Sequence, residues 1–291
     1  MKRTRATKGE EFLPSPVLKW AGGKRQLLPE LLPRLERAGP SGAYHEPFIG
    51  GGAVFFELSR LGRLPARATI ADVNPNLIDV YEAVRSDVET LTGLLAAHQE
   101  RHRAEGETYY YAVRNTPEGP TPRTQVERAA RVIYLNKSCF NGLYRENSKG
   151  KFNVPFGDNP KATICNPSVL AAASGALQPA EILCTGFASI LDRAAAGDLV
   201  YLDPPYVPLS TTSSFASYAK GGFGPAEQAE LASVVAELDR KSVRFLLSNS
   251  MTDSVRTLYA NFRIDTVMAK RSVNSRGAGR GAVEEALVSN Y

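Results

Sequence analysis

The tetrapeptide Asp203-Pro-Pro-Tyr206 combines an acid, two prolines and an aromatic ring directly after the apolar run Leu199–Leu202. Such a run predicts a buried strand, and the ligands of open α/β sheets lie beyond the carboxyl ends of the strands. The prolines fix the backbone and have no N–H, so Asp203 and the carbonyl of Pro204 can both accept hydrogen bonds. Two acceptors beside a stacking ring suit a planar base with an exocyclic amine. Taken alone, the four residues are also compatible with a plain rigid turn.

A glycine-rich loop, Glu46-Pro-Phe-Ile-Gly-Gly-Gly52, follows a short strand candidate and precedes a helical pattern. Glycines allow positive φ angles and a close approach of backbone N–H groups to a ligand. Asp72 ends the next predicted strand roughly twenty residues on, where an acidic side chain commonly holds ribose hydroxyls. The loop lacks the third spaced glycine of dinucleotide sites, which favours a smaller, adenosine-containing ligand. A tight structural turn is the alternative for the glycines alone.

A third cluster, Lys19-Trp-Ala-Gly-Gly-Lys24, contains the one tryptophan of the chain beside two glycines. We expect this cluster to form a second wall of the ligand site, with Lys24 meeting a carboxylate. The alternative is a helix start in which Trp20 is a core anchor.

Two further segments carry side chains suited to nucleic acid. Tyr134–Arg145, followed by Asn153–Gly157, interleaves aromatic, amide and basic residues. Arginine and asparagine read bases in the major groove, and an aromatic or leucine side chain can wedge between bases. Lys270–Gly281 alternates basic residues with glycines, which is typical of a phosphate-binding loop or, alternatively, of a disordered surface loop. A net charge of +5 fits a polyanionic partner but does not require one.

The elements that must position these residues alternate along the chain, which predicts a mostly parallel sheet with helices on both faces. Strands are expected at 43–46, 68–71, 181–184, 198–202, 243–247, 262–267 and 282–289, and helices at 53–61, 76–84, 188–196, 225–239 and 252–259. From about 87 to 170 the pattern changes to polar, arginine-rich helices, so we expect an inserted subdomain there.

Several classes of protein are disfavoured. No apolar run reaches the length of a membrane span. The three cysteines are widely spaced and odd in number, which supports neither a disulfide framework nor a zinc site. His98 and His102 have helical i, i+4 spacing but no third ligand nearby, and we expect them on a solvated helix face rather than at a metal.

Together, Lys-Trp-Ala-Gly-Gly-Lys, Pro-Phe-Ile-Gly-Gly-Gly and Asp-Pro-Pro-Tyr, in this order, strongly resemble the motifs of the DNA adenine methylase family, the D12 class of N6-adenine-specific DNA methyltransferases with alpha motif order. The resemblance runs from about Lys19 to Tyr291. It implies an α/β fold, a Rossmann-like S-adenosylmethionine-dependent methyltransferase sheet with an inserted, mostly helical target-recognition domain. The implied division is a flexible leader at 1–15, a catalytic domain at 16–86 and 171–291, and the recognition domain at 87–170. S-adenosylmethionine would be the cofactor, no metal would be needed, and double-stranded DNA would be the substrate.

The resemblance also implies roles by position. The cofactor would be bound by Trp20, Lys24, Pro47, Phe48, Gly50, Asp72, Phe187 and Asp203. A flipped adenine would be held for catalysis by Asp203, Pro204, Pro205 and Tyr206. DNA, at the sequence GATC, would be contacted by Lys19, Phe140, Asn141, Leu143, Arg145, Pro155, Arg271 and Arg276. The segment Cys184–Phe187 departs from the family by lacking an acidic residue, so Phe187 is the candidate for contact with the cofactor's adenine.

Two other functions stay open. Methylation of an amino group in RNA is disfavoured by the segment Asn141–Arg145, which suits duplex DNA. A catalytically inactive DNA-binding relative is disfavoured by the intact Lys24, Asp72 and Asp203. We further expect a monomer located in the cytoplasm, without membrane association.

Overall fold

The computed structural model describes residues 13–20, 22–116, 122–207, 223–270 and 282–291. Its strands are β1 Tyr44–Glu46, β2 Ala68–Asp72, β3 Ala180–Cys184, β4 Leu199–Leu202, β5 Arg244–Ser250, β6 Arg263–Lys270 and β7 Ala282–Ser289. They form one seven-stranded sheet in the order β3-β2-β1-β4-β5-β7-β6. The first five strands in this order pair in parallel, whereas β7 is antiparallel to both β5 and β6.

The helices begin at polar caps that the sequence supplies. Asn74 and Asn166 accept backbone N–H groups at two starts, and Thr124 forms a capping box with Glu127 at a third. The α-helices are α1 Leu28–Ala38, α2 Ala53–Arg60, α3 Pro75–Ser86, α4 Val88–Glu105, α5 Glu107–Asn115, α6 Gln125–Ser138, α7 Pro167–Leu177, α8 Pro225–Arg240 and α9 Asp253–Leu258. Short 3₁₀-helices lie at Lys24–Gln26, Phe140–Gly142 and Phe187–Asp192.

Helices cover both faces of the sheet. Successive side chains of a strand point to opposite faces, so Leu199 and Tyr201 of β4 lie in one apolar cluster and Val200 and Leu202 in the other. The first cluster includes residues of α1 to α7, and the second includes residues of α8 and α9. The predicted fold class, a mostly parallel α/β sheet buried between helices, is confirmed.

Helices α4 to α7 lie between α3 and β3 in the chain, where the sequence predicted a mostly helical insertion. The irregular stretch between α6 and α7 is tied to these helices by buried hydrogen bonds. Gln99 donates to the carbonyl of Ala162 over 2.9 Å, and the hydroxyl of Tyr110 donates to the carbonyl of Val154 over 2.7 Å. Buried amide and hydroxyl groups therefore shape a loop that has little regular structure of its own.

The expected solvated face at His98 and His102 is wrong. His102 is fully buried, with Nε2 2.9 Å from the carbonyl of Asn159. His98 stacks on Tyr134, with ring centroids 4.7 Å apart, and its Nδ1 lies 2.6 Å from the hydroxyl of Tyr109. Burial among these rings lowers the pKa of His98 to about 4. The two histidines therefore belong to an aromatic cluster between α4, α5 and α6.

A second difference concerns the helix expected at 188–196, which is the 3₁₀-helix Phe187–Asp192. The carboxylate of Asp198 accepts the N–H of Ala195 over 2.9 Å and that of Ala43 over 2.6 Å. This side chain turns the chain into β4 and ends helical structure early. Among the described residues, no helix is long and apolar enough to cross a membrane.

Candidate active site

The order of the sheet reverses between β1 and β4, and the space beyond the carboxyl ends of these two strands is called the crevice below. These strands are neighbours, with His45 opposite Val200, but the helices α2 and α8 that follow them pack on opposite faces. Ligands of open α/β sheets bind at such switch points. The glycine loop 47–52 follows β1, Asp203 follows β4 directly, and Asp72 ends the adjacent β2. The fold therefore brings two of the predicted motifs, together with Asp72, to one edge of the sheet.

Asp203 is held by two donors at this edge. The ammonium Nζ of Lys24 lies 2.9 Å from Oδ1 of Asp203, and the hydroxyl of Ser248 donates to the same oxygen over 2.9 Å. Lys24 is only 8% exposed and also donates to the carbonyl of Gly22 over 2.9 Å. Burial raises the pKa of Asp203, and the charge of Lys24 opposes that rise. The result is a largely desolvated carboxylate, whose Oδ2 accepts no hydrogen bond from the part of the chain that the structure describes.

The ring of Tyr206 stands beside this ion pair. Nζ of Lys24 lies 4.3 Å from the ring centroid, within range of a cation–π interaction. The hydroxyl of Tyr206 donates to Oε2 of Glu285 over 2.6 Å. One face of this ring therefore contacts Lys24, and its hydroxyl is bound by Glu285.

The backbone of the Asp-Pro-Pro-Tyr turn is held by a pair of buried amides. Gln228 donates to the carbonyl of Pro205 over 3.1 Å, and Asn249 accepts the N–H of Val207 over 3.1 Å. Asn249 in turn donates to Gln228 over 3.2 Å. Within the described residues, no donor reaches the carbonyl of Pro204, which stays available as an acceptor.

Asp72 shapes the glycine loop. Its carboxylate accepts the N–H of Gly50 over 3.2 Å and that of Asn74 over 3.0 Å. Burial raises the pKa of Asp72, and these backbone hydrogen bonds counteract the rise. The hydroxyl of Tyr81 donates to the carbonyl of Gly50 over 2.7 Å, and Gly50 itself has a positive φ of 47°. A side chain at this position would be strained.

Trp20 packs directly on the same loop. A Cβ atom added to Gly51 would lie 2.8 Å from Cβ of Trp20, so the contact itself requires glycine there. The indole also stacks on Tyr144, with ring centroids 5.3 Å apart. Both predicted walls of the ligand site, the tryptophan cluster and the glycine loop, are therefore in contact.

Aromatic side chains line another part of the crevice. Phe48 stacks on Phe187 with a centroid distance of 5.3 Å, and both rings contact Phe223 at 5.8 Å. Pro47, which precedes Phe48, is buried. The structure thus places the predicted Phe187 against the glycine loop, in contact with Phe48.

Glu46 adds a buried acid to the site. It is 2% exposed, and the hydroxyl of Tyr44 donates to its Oε2 over 2.7 Å. Burial raises its pKa to about 8; the hydrogen bond from Tyr44 opposes the rise, and the nearby charge of Asp203 adds to it. This carboxyl group therefore titrates near neutral pH.

The predicted DNA contacts gather in a second region. Lys19 is anchored by Asn136 of α6, whose side chain accepts the N–H of Lys19 over 2.8 Å and donates to its carbonyl over 2.6 Å. The same amide donates to the carbonyl of Gly142 over 3.0 Å. Because Trp20 follows Lys19 directly, Asn136 links this region to the crevice.

The loop beyond α6 presents the other contacts to solvent. Phe140 is 51% exposed although it is a large apolar residue, and its N–H donates to the carbonyl of Pro155 over 2.9 Å. Nε of Arg145 donates to the side chain of Asn153 over 2.7 Å. Asn141, Arg145 and Pro155 are exposed and Leu143 is half-buried. Arg271 and Arg276 lie outside the described residues.

Sequence reasoning missed the residues that support Asp203 and Tyr206. Ser248 and Asn249 lie near the carboxyl end of β5, where a polar pair after the apolar run Phe245–Leu247 was the available signal. Glu285 comes from β7 and lies opposite Ser250 because of the antiparallel register of β7 against β5. No sequence motif predicts that register.

Comparison with known proteins agrees with these motifs. A family model described as D12 class N6 adenine-specific DNA methyltransferase matches residues 20–273. The type II methyltransferase M1.LlaDCHI of Lactococcus lactis subsp. cremoris is 39% identical over 95% of each chain. The type II methyltransferase M.MjaIII of Methanocaldococcus jannaschii is 38% identical, covering 95% of this chain and 99% of the relative. A DNA adenine methylase of Vibrio cholerae is 34% identical, covering 93% of this chain and 94% of the relative.

Proposed function

Because the chain belongs to the D12 class of N6 adenine-specific DNA methyltransferases, we propose that it transfers the methyl group of S-adenosylmethionine to N6 of an adenine in duplex DNA, within GATC. The observation that carries this proposal is the half-buried Asp203, paired with Lys24 and placed beside the ring of Tyr206 at the sheet crevice. These groups meet where a nucleoside-sized ligand and a flipped base can be adjacent.

The crevice residues suit S-adenosylmethionine. The Asp72 carboxylate lies where ribose hydroxyls are commonly bound, and the rings of Phe48 and Phe187 offer apolar faces to its adenine. The ammonium of Lys24 can meet the methionine carboxylate, and the carboxylate of Asp203 favours a nearby positive charge. When bound, S-adenosylmethionine supplies a methyl group on a cationic sulfur, so the displaced group is neutral and no metal ion is required.

The protein's part in the reaction is to bind and orient the amine. Oδ2 of Asp203 and the carbonyl of Pro204 accept the two N–H groups of the target amine, while Tyr206 stacks on the base. Drawing both hydrogens toward acceptors localises the nitrogen lone pair, which ring conjugation otherwise withdraws. Lys24 and Ser248 already hold Oδ1 of Asp203, so Asp203 acts as an orienting acceptor rather than a strong base.

The second region would recognise the DNA, with residues 87–170 as the target-recognition domain. The exposed Phe140 is placed to enter the base stack, and Asn141, Leu143 and Arg145 to contact bases. Lys19, held by Asn136, would contact the outer guanine, and Arg271 and Arg276 the phosphates. Extruding the adenine costs a few kcal/mol, which these contacts offset. The monomeric state and the cytoplasmic location stay predictions.

The test is methyl transfer from labelled S-adenosylmethionine to three duplexes: one with a GATC site, one with its adenine replaced, and one with its outer guanine replaced. We expect label on the first alone, recovered as N6-methyladenine. Label on the first and third would keep the reaction and refute GATC specificity. Label on structured RNA but on no duplex would refute the substrate, and intact cofactor binding without any transfer would indicate an inactive relative.

A further inference from the structure

Glu285 reaches the crevice from the far end of the sequence. It lies on β7 opposite Ser250, the last residue of β5, so the antiparallel strand delivers its side chain to the edge at which β4 ends. There its Oε2 accepts the hydroxyl proton of Tyr206 over 2.6 Å. The contact joins residues 79 positions apart, and none of the motifs includes Glu285.

Among the described residues, the other restraints on Tyr206 act on its backbone and on one face of its ring. The amides of Gln228 and Asn249 fix the main chain on either side of it, and Lys24 stands 4.3 Å from the ring centroid. Neither restraint sets the angle of the ring about its side-chain torsions. The hydrogen bond to Glu285 sets this angle because it fixes the distal end of the ring.

We propose that Glu285 is a positioning residue for methyl transfer, which holds the ring of Tyr206 at the angle where it stacks on the extruded base. The inference rests on the proposed function and deepens it, since it concerns the same site. A carboxylate suits this task because an ionised carboxylate only accepts hydrogen bonds. In this contact the hydroxyl of Tyr206 is therefore always the donor. Glu285 touches neither reactant in this scheme and acts through Tyr206.

Two substitutions of Glu285 distinguish the loss of the hydrogen bond from the loss of the negative charge. Glu285→Ala removes the acceptor of the Tyr206 hydroxyl. Losing a hydrogen bond to a charged group changes an equilibrium constant or a rate by about 10-fold to 100-fold. Glu285→Gln keeps an acceptor oxygen and should recover part of that loss. The matched control is Glu284→Ala, since Glu284 precedes Glu285 on β7, carries the same charge and is exposed. Circular dichroism and melting temperature verify that each variant folds.

The decisive measurement is the single-turnover rate of methyl transfer at saturating DNA and cofactor. We expect Glu285→Ala to lower this rate about 10-fold to 100-fold, with the KM for S-adenosylmethionine unchanged and Glu284→Ala at the wild-type rate. Tyr206→Phe combined with Glu285→Ala should be no slower than the slower single variant, because both remove the same contact. Losses that multiply in the double variant, or equal rates for the two glutamate variants, overturn the inference.

An NMR measurement that requires no enzymatic activity tests the contact between Glu285 and Tyr206 independently of the proposed function. Protein labelled with 3-fluorotyrosine gives one ¹⁹F resonance for each of its 12 tyrosines, and Tyr206→Phe identifies that of residue 206. Glu285→Ala should shift this resonance and Glu284→Ala should not. An unshifted resonance refutes the contact whatever the activity. A shifted resonance with a wild-type protein inactive on every duplex refutes the proposed function but leaves the contact established.

Discussion

Three acids and one lysine set the electrostatics of the crevice. Burial raises the pKa of Glu46, Asp72 and Asp203 alike, because each carboxyl group is removed from water. The only ion pair among them in the described part of the chain joins Lys24 to Asp203. Lys24 is thus the cation paired with Asp203, and in the proposed reaction the cationic sulfur of S-adenosylmethionine would offset part of the cost of keeping Asp72 and Asp203 ionised.

Removing the acceptor of the proposed reaction gives the first prediction. Asp203→Asn preserves the size of the side chain but replaces one acceptor oxygen by an amide and removes the charge that pairs with Lys24. We expect methyl transfer to fall at least about 100-fold, comparable to the loss of one preorganised hydrogen bond at a reaction centre. Initial rates on a GATC duplex, with S-adenosylhomocysteine affinity and melting temperature measured in parallel, test this expectation. A folded variant with wild-type turnover would contradict the assignment of Asp203.

A second prediction concerns pH. The pKa of Glu46 is about 8 in the folded protein and near its ordinary value once unfolded, so the folded state binds more protons between these values. Stability contributed by the protonated form is full at low pH and is lost as pH rises toward 8. The free energy of unfolding should therefore fall with pH across this range, with a slope on the order of 1 kcal/mol per pH unit. Urea unfolding of wild type and of Glu46→Gln from pH 5 to 8 checks this expectation. The free energy of unfolding of wild type should fall relative to that of Glu46→Gln as pH rises. An equal pH dependence of the two unfolding free energies would refute it.

At the scale of elements, the two functional regions are joined through one short segment. Asn136 of α6 binds both backbone groups of Lys19 and the carbonyl of Gly142, while Trp20 packs on the glycine loop. The start of the chain thus connects α6 with the loop after β1. In the proposed scheme, recognition of DNA and shaping of the cofactor pocket would therefore depend on the same few residues.

Gly142 offers a test of that link. It has a φ of 63°, and an added Cβ would lie 2.6 Å from the side chain of Lys19. Gly150 has a similar φ of 70° but its nearest neighbour would be 4.0 Å away. Gly142→Ala and Gly150→Ala therefore share backbone strain, and only the first displaces Lys19. We expect Gly142→Ala to weaken duplex binding, measured by fluorescence anisotropy, on the order of tenfold, and Gly150→Ala to stay within about twofold of wild type; equal losses would show that Lys19 has no part.

The sequence predicts elements better than it predicts partners between them. The apolar run before Asp203 and the glycines before Ala53 mark strand ends and helix starts by local physics, and the structure has β4 and α2 there. His102 was misplaced because periodicity treats a histidine as polar, whereas in the structure its ring packs on Tyr134 and the backbone carbonyl of Asn159 accepts its hydrogen bond. Glu285 could not be found at all, since its contact with Tyr206 depends on the register of β7 against β5.

At the scale of the whole molecule, residues of both apolar clusters meet at the glycine loop beside the crevice. Phe48 packs against the cluster that contains α8, and Trp20 against the cluster that contains α1 to α7. A ligand bound beside both side chains would contact both clusters of the core. Binding at this place should therefore stabilise the folded chain as a unit rather than one loop of it.

Asp72 allows that expectation to be measured. Its carboxylate holds Gly50 and Asn74 by two backbone N–H groups, and an asparagine in its place has only one acceptor oxygen. In wild type, S-adenosylhomocysteine at 100 times its Kd contributes about 2.7 kcal/mol, which raises the melting temperature by roughly 5 °C for a chain of this size. Asp72→Asn should abolish most of this ligand-induced shift at the same concentration, whereas Asp192→Asn, a change at an exposed aspartate, should keep it. Since each shift is taken against the same variant without ligand, any intrinsic loss of stability cancels. A full shift in Asp72→Asn would place the ribose elsewhere and leave Asp72 as a structural support of the glycine loop.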